Sequence, residues 1–275
     1  MGQNPEDDYF VVDADAHYLE SYQNIAEYMD EPWASRLKES GWEEIGAKQN
    51  ATSYFPTSTG DRQAYGRIER EHSSYPDSPA TPDEVKAGMD AVGIDVQLQI
   101  SHLLLPANAV QADDQRVTQF MNGYVDYVSE NVLDPEKGIY GLVPVPFHDV
   151  EASIDLLERT EDDDAFIGAV MIAAGARPAL GNRKYDPIYE RAEELGVPMA
   201  FHTSGSGLDG IAGHGSFTET HILGFLQSNQ KQLVSLIFEG VPEKFPDLEM
   251  AVVESGVTYI PALAARMDEE WLKRT

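Results

Sequence analysis

The stretch FVVDADAHYLE, residues 10–20, starts with the composition typical of a buried strand and then turns polar. Residues 10–12 are strand formers, and Asp13, Asp15 and His17 follow at every second position. Side chains two positions apart on a strand share one face. Ionised together, the two carboxylates would lie ~6–7 Å apart and repel each other by roughly 2–3 kcal/mol. The pattern therefore predicts either a wet strand end or a bound cation.

Strand and helix patterns alternate along the rest of the chain, and six β–α units can be counted. Residues 21–40 carry apolar side chains four positions apart, which predicts one helix. The fourth to sixth strands are continuous apolar runs, as is typical of parallel strands covered on both faces. The alternation predicts an α/β fold with a parallel sheet, either a barrel or a doubly wound sheet.

Residues 41–80 interrupt this alternation without starting a new domain. They are rich in Ser, Thr, Pro, Gly, Tyr and Asp and have no hydrophobic period. We interpret them as a long insertion or lid after the first strand of one domain that spans residues 1–275. The next helix is marked by Thr81-Pro82-Asp83-Glu84, a capping residue followed by proline at the first helical position.

The composition excludes several function classes. The 275 residues carry 19 basic and 48 acidic side chains, a net charge of −29. This charge repels phosphates and anionic lipids, so neither nucleic acid nor membrane is an expected partner. We interpret the acidic excess as the solvated shell of a halophilic protein, with an ordinary acidic protein as the alternative. The chain has no cysteine, no apolar leader and no long apolar run, which predicts a cytoplasmic protein without thiol chemistry.

Four of the seven histidines stand at or just past the predicted carboxyl ends of strands, where α/β proteins place their sites. We favour a structural role for His102 and His148. His17 is different because Asp15 shares its face, and His202 because it follows the buried strand VPMAF and precedes a glycine-rich loop. Together, Asp15, His17 and His202 form a nitrogen and oxygen ligand set suited to one divalent metal ion, with zinc expected.

Two further features lie near the predicted carboxyl ends of the last strands. Glu254, in MAVVESGV, could be a general base, a further ligand or an acid at a helix N-terminus. GSGLDG, residues 205–210, matches the dinucleotide fingerprint G-x-G-x-x-G, but its helix is predicted only near Thr218. A fingerprint needs a helix at once, so we interpret residues 205–217 as a loop that closes over an active site.

Three blocks of the sequence resemble the amidohydrolase-related family, the superfamily branch that includes aminocarboxymuconate-semialdehyde decarboxylase. They are VVDADAHYLE, YDPIYERAEELGVPMAFHTSG and GVPEKFPDLEMAVVESGVTYIPALAARMDEEW. The resemblance runs from about residue 9 to the end of the chain. It implies a TIM (β/α)8-type metal-dependent hydrolase barrel with one divalent metal, often zinc, and either hydrolysis or non-oxidative decarboxylation.

The resemblance carries over position by position. The family's first strand usually bears H-x-H as two ligands, which falls here on Asp15 and His17, and its fifth-strand ligand falls on His202. Glu254 stands where many members carry a histidine of the sixth strand that takes part in acid–base chemistry. We give Glu20 no ligand role, and Asp13, one step deeper on the same face, is a candidate to support the ligands.

The last family ligand, an aspartate of the eighth strand, has no counterpart in the sequence. We therefore expect a barrel with about six β–α units, incomplete at the C-terminus. Because an open sheet exposes its edges, we expect the chain to be poorly stable alone or to assemble as a homo-oligomer.

Two functions follow from the resemblance. The first is a metal-dependent enzyme acting on a small carboxylated or ring substrate. Its candidate partners for a substrate carboxylate are Arg67, Arg70 and Arg177, with a role in surface solubility as the alternative. The second is a truncated, non-catalytic remnant or assembly subunit of such an enzyme.

Overall fold

The strands of the protein form one parallel sheet. The computed structural model describes residues 9–18, 20–39, 81–102, 114–173, 176–203 and 217–274. The six strands of this part of the chain pair in sequence order. They are β1 (Val12–Tyr18), β2 (Val96–Ser101), β3 (Ile139–Pro144), β4 (Phe166–Ile172), β5 (Met199–His202) and β6 (Met250–Val253). The predicted barrel-type α/β fold with six units is confirmed, whereas the predicted lid at 41–80 lies outside the described residues.

Helices connect successive strands, as parallel pairing requires. They are α1 (Tyr22–Ala26), α2 (Trp33–Glu39), α3 (Pro82–Val92), α4 (Asp114–Asn131), α5 (Val150–Arg159), α6 (Asp186–Leu195), α7 (Phe217–Phe238), α8 (Val241–Lys244) and α9 (Ile260–Arg274). Short 3₁₀ turns at Pro135–Lys137 and Arg183–Tyr185 precede β3 and α6. None of the helices in the described ranges combines the length and the apolar character needed to span a bilayer.

The single helix predicted over residues 21–40 is wrong, because two short helices, α1 and α2, occupy this range. Pro32 stands just before α2 and has no backbone N–H to donate to the preceding turn. Proline also disfavours helical backbone at Glu31, the residue before it. Apolar spacing alone therefore overestimated the length of the helix.

The predicted start of α3 is confirmed. Thr81 Oγ1 accepts a hydrogen bond from the Glu84 backbone N–H at 3.3 Å, and the Glu84 carboxylate accepts one from the Thr81 N–H at 3.1 Å. Pro82 takes the first helical position, where its missing N–H costs nothing. This capping box fixes where the chain enters α3 and then β2.

The two faces of the sheet have different surroundings. One face packs against the helices in a large core that includes Met171 and Phe201. The opposite face carries a smaller cluster, comprising Ile100, Leu142, Val170, Ile172 and Ala200. Because strand side chains alternate, His202 lies on the same face as Ala200. The smaller cluster therefore lies on the same face as His202, just below the carboxyl ends of the strands.

The prediction that the fourth to sixth strands are covered on both faces holds for β4 and β5 but is wrong for β6. Ala251 and Val252 are exposed, whereas the residues of β5 are buried. Within the described ranges β6 pairs only with β5. An apolar run shows that a strand can be buried, but its position in the sheet decides whether it is.

Two glycines give a matched test of packing. A Cβ on Gly181 would lie 2.1 Å from the Ser235 carbonyl oxygen on α7, whereas a Cβ on Gly88 in α3 would meet no atom within 4 Å. We expect Gly181→Ala to lower the free energy of unfolding by about 1–3 kcal/mol through overpacking. Gly88→Ala should raise it by about 0.5–1 kcal/mol, because alanine favours the helix. Urea unfolding of both variants checks the opposite signs, and a loss in both would contradict the packing argument.

Candidate metal centre

The carboxyl ends of β1 and β5 meet at one place. Burial alternates along β1: Ala16 and Tyr18 are buried on the helix side, and Asp15 and His17 are half-buried on the other side. His202 is the last residue of β5 and is completely buried. In the strand order, β2, β3 and β4 separate β1 from β5, so only a curled sheet brings these side chains together.

Three ligand atoms converge at this place. His202 Nε2 lies 3.1 Å from Asp15 Oδ1 and 3.2 Å from His17 Nε2, and His17 Nε2 lies 3.4 Å from Asp15 Oδ1. The two imidazole rings meet edge to face, with their centroids 5.0 Å apart. Within the part of the chain that the structure describes, this is the one group of three such side chains able to hold a metal ion.

Backbone contacts fix which nitrogen of His202 faces the cluster. His202 Nδ1 is hydrogen-bonded to the Thr203 carbonyl oxygen, which can only accept, so Nδ1 carries the proton. In the neutral ring, Nε2 then holds a lone pair directed at Asp15 and His17. A second partner that sets the tautomer is typical of metal-binding histidines. Three lone pairs at this separation fit one divalent cation between them.

Asp15 is held in its ionised form. Burial by itself raises the pKa of a carboxyl group. Hydrogen bonds that His17 and His202 donate when their Nε2 atoms carry protons, and the positive charge of these rings in that form, outweigh burial and hold the pKa of Asp15 well below its usual range. The side chain therefore offers a charged oxygen ligand.

Asp13 lies outside the group of three and contacts the backbone. Its Oδ1 accepts a hydrogen bond from the Asp15 N–H at 3.1 Å. The pairing of β1 with β2 shifts its register between Asp13 and Ala16, and such irregularities re-aim side chains. This contact gives the predicted supporting role of Asp13 a physical basis, and the role stays a prediction.

Glu254 approaches the same cluster from β6. Its Oε2 lies 3.5 Å from His202 Nε2, and its side chain is 32% exposed. The residue adopts a φ of 57°, in the left-handed region that non-glycine residues seldom occupy. Helix α9 begins only at Ile260, so the alternative that Glu254 is an acid in the first turn of a helix is wrong.

Two residues near the cluster were not assigned to it from the sequence. Glu20 is buried, and its carboxylate accepts hydrogen bonds from the His102 N–H at 3.1 Å and from the Ser101 hydroxyl. It thereby ties the end of β1 to the end of β2. The His102 ring packs edge-on against the ring of His17, with centroids 5.5 Å apart. The sequence signals were the position of Glu20, three residues after His17, and that of His102 at the end of the second predicted strand.

The remaining candidates stand apart from the cluster. The His148 ring packs on Phe147 with centroids 4.2 Å apart, in keeping with a structural role. Arg177 follows β4, at the same edge of the sheet as the cluster, and its side chain is exposed. Arg67, Arg70 and nearly all of the predicted loop at 205–217 lie outside the described residues.

Solved structures of other proteins share the fold. An amidohydrolase from Mycobacterium avium subsp. paratuberculosis has a TM-score of 0.71 and 18% identity, with 97% of this chain and 78% of that chain covered. The 5-carboxyvanillate decarboxylase of Novosphingobium aromaticivorans, complexed with manganese and 4-hydroxy-3-methoxy-5-nitrobenzoic acid, has a TM-score of 0.64 and 18% identity, with 99% and 74% covered. The 2,6-dihydroxybenzoate decarboxylase from Rhizobium has a TM-score of 0.55 and 16% identity, with 88% and 65% covered.

The sequence itself also matches a known family. The family model described as amidohydrolase matches residues 12–274. This range includes the three candidate ligands and Glu254. No curated protein matches the chain.

Proposed function

Because the chain belongs to the amidohydrolase family, we propose that it is a metal-dependent enzyme acting on a small carboxylated or ring substrate. The reaction is hydrolysis or non-oxidative decarboxylation. The observation that carries the proposal is the convergence of Asp15, His17 and His202, whose ligand atoms lie 3.1–3.4 Å apart. When bound, a divalent metal supplies a Lewis acid that polarises an oxygen or activates water.

Asp15, His17 and His202 would hold this metal. Two imidazoles and one carboxylate suit zinc and also manganese. The donor set supports zinc, and the manganese in the N. aromaticivorans decarboxylase supports manganese. The cation would also remove the repulsion among the three lone pairs that the fold brings together.

Glu254 would move the proton. In decarboxylation a proton takes the place of the departing carbon dioxide on the substrate carbon, and in hydrolysis a proton leaves the attacking water. Each reaction therefore needs one group that can give or take a proton beside the metal. Glu254 is partly exposed and lies 3.5 Å from His202, so its carboxylate can reach both the cluster and a bound substrate.

Recognition of a substrate carboxylate would fall to arginine, whose planar guanidinium binds a carboxylate through two hydrogen bonds. Arg177 is the described candidate, and its exposed side chain after β4 lies at the edge that carries the cluster. Arg67 and Arg70 remain candidates in the predicted lid.

The expected result of metal titration is about one Mn²⁺ or Zn²⁺ bound per chain. Loaded protein should then be assayed with 5-carboxyvanillate and 2,6-dihydroxybenzoate, the compounds after which two similar enzymes are named. Release of carbon dioxide that is lost on chelation and restored by metal assigns a carboxy-lyase. Protein that binds no divalent metal after reconstitution overturns the ligand assignment.

The homo-oligomer, the cytoplasmic location and the halophilic character stay predictions. The exposed Val252 on β6 and the exposed Trp271 and Leu272 on α9 support the oligomer, because large exposed apolar groups favour association. Sedimentation of the protein in high and low salt tests both the oligomer and the halophilic interpretation.

A further inference from the structure

Helix α7 buries two amide side chains although several of its apolar side chains are exposed. Asn229 and Gln232 are each 1% exposed, whereas Ile222 is 63% exposed and Phe238 is 43% exposed. An ordinary surface helix turns its apolar side toward the core. The buried amides of α7 instead bond to the backbone. Asn229 donates to Val253 at the end of β6, and Gln232 donates to Ala173 just past β4 and accepts from the Leu180 N–H in the segment before α6.

Asn229 bridges the two strands that lead into the candidate site. Its Nδ2 donates to the Val253 carbonyl oxygen at 2.9 Å and to the Phe201 carbonyl oxygen at 3.4 Å. Strand β5 ends at His202 and β6 ends at Val253. The amide therefore holds the strands together at the point where their own pairing stops.

The two carbonyl groups belong to the peptide units that directly precede two residues of the candidate site. The Phe201 carbonyl is part of the peptide unit that enters His202, and the Val253 carbonyl is part of the one that enters Glu254. Hydrogen bonds to these oxygens fix the planes of both units. This matters most at Glu254, because its φ of 57° persists only where the surroundings hold it.

One helical turn earlier, α7 also holds His202 from its other side. The Thr203 hydroxyl donates to the Phe225 carbonyl oxygen of α7 at 3.1 Å, and the Thr203 carbonyl is hydrogen-bonded to His202 Nδ1. The backbone before His202 and the residue after it are thus both fixed by the same helix.

We infer that Asn229 is a positioning residue, which sets the approach of His202 to Glu254 by holding both of their peptide units. The inference rests on the proposed function, because it assigns the purpose of this contact to the metal centre. Groups that orient metal ligands affect affinity as well as structure, typically by roughly 10–100-fold.

The test is Asn229→Leu in the full chain, because leucine has nearly the shape of asparagine and adds no charge beside the cation. We expect the affinity for Mn²⁺ to fall roughly 10–100-fold. The electron paramagnetic resonance spectrum of the bound Mn²⁺ should also change, because the ligand geometry changes.

Asn131→Leu is the matched control. Asn131 also donates from Nδ2 to a backbone carbonyl, that of Tyr127, at 2.9 Å. It ends α4 and precedes the amino end of β3, whereas the cluster lies at the carboxyl ends of the strands. Its loss should leave the affinity for Mn²⁺ within about twofold of wild type, since distant sites act independently.

If Asn229→Leu does not fold, Asn229→Ser gives the same answer, because one hydroxyl proton cannot serve two carbonyls. A variant that is less stable but binds Mn²⁺ with wild-type affinity and an unchanged spectrum overturns the inference alone. Wild-type protein that binds neither Mn²⁺ nor Zn²⁺ overturns the proposed metal centre, and the inference falls with it.

Discussion

His202→Ala should bind Mn²⁺ or Zn²⁺ roughly 10²–10³-fold more weakly than the wild-type chain, because a four-ligand zinc site contributes about 10–16 kcal/mol, or about 2.5–4 kcal/mol for each ligand. The effect is expected to be large because His202 Nε2 makes the shortest contacts to both other ligands, at 3.1 and 3.2 Å. Isothermal titration with each metal measures the change.

The control is His148→Ala, which removes another imidazole near the end of a strand. His148 packs on Phe147 and lies outside the group of three ligands, so its loss should leave the affinity for metal unchanged. Circular dichroism of both variants shows whether they are folded, since His202 is completely buried. A folded His202→Ala variant with wild-type affinity would refute the assignment of this ligand.

Glu254→Gln should reduce kcat by roughly 10²–10⁴-fold, the usual contribution of a general acid or base, while the affinity for metal is retained. Glutamine keeps the shape of the side chain but cannot take a proton at neutral pH. The measurement pairs metal titration with turnover of the substrate on which the wild-type chain is active.

The paired measurement separates the two roles that remain open for Glu254. A general acid or base affects kcat alone, whereas a metal ligand would lower the affinity for metal together with kcat. Glu249→Gln is the control, because Glu249 is exposed and directly precedes β6. Wild-type kcat in Glu254→Gln would exclude a proton-transfer role.

The parts of the site that could be predicted from the sequence depend on neighbouring positions. Asp15 and His17 are two residues apart on one strand, so pleating alone places them on one face. The capped start of α3 could also be predicted, because Thr81 and Glu84 are only three positions apart. Glu20 escaped assignment because its partners, Ser101 and His102, stand 81 and 82 positions away.

The errors have equally specific causes. Pro32 divided a predicted helix because one missing N–H outweighs favourable apolar spacing. The apolar sequence of β6 predicts a buried strand, but two of its residues are exposed. Burial of a strand depends on which elements pack beside it, and the apolar run does not specify them. The role of the buried Asn229 on α7 could not be predicted from the sequence, because its partners Val253 and Phe201 are 24 and 28 positions away.

The sequence by itself determined the order of strands and helices, the identity of the candidate ligands and the face that carries Asp15 and His17. These features follow from periodicity and side-chain chemistry, which are local. Only the tertiary structure decided that His202, 187 positions from Asp15, comes within 3.1 Å of it, and that α7 holds the strand ends around it. Curling of the sheet and packing of a distant helix set these contacts. The sequence pattern placed both residues at strand ends but could not give the distance between them.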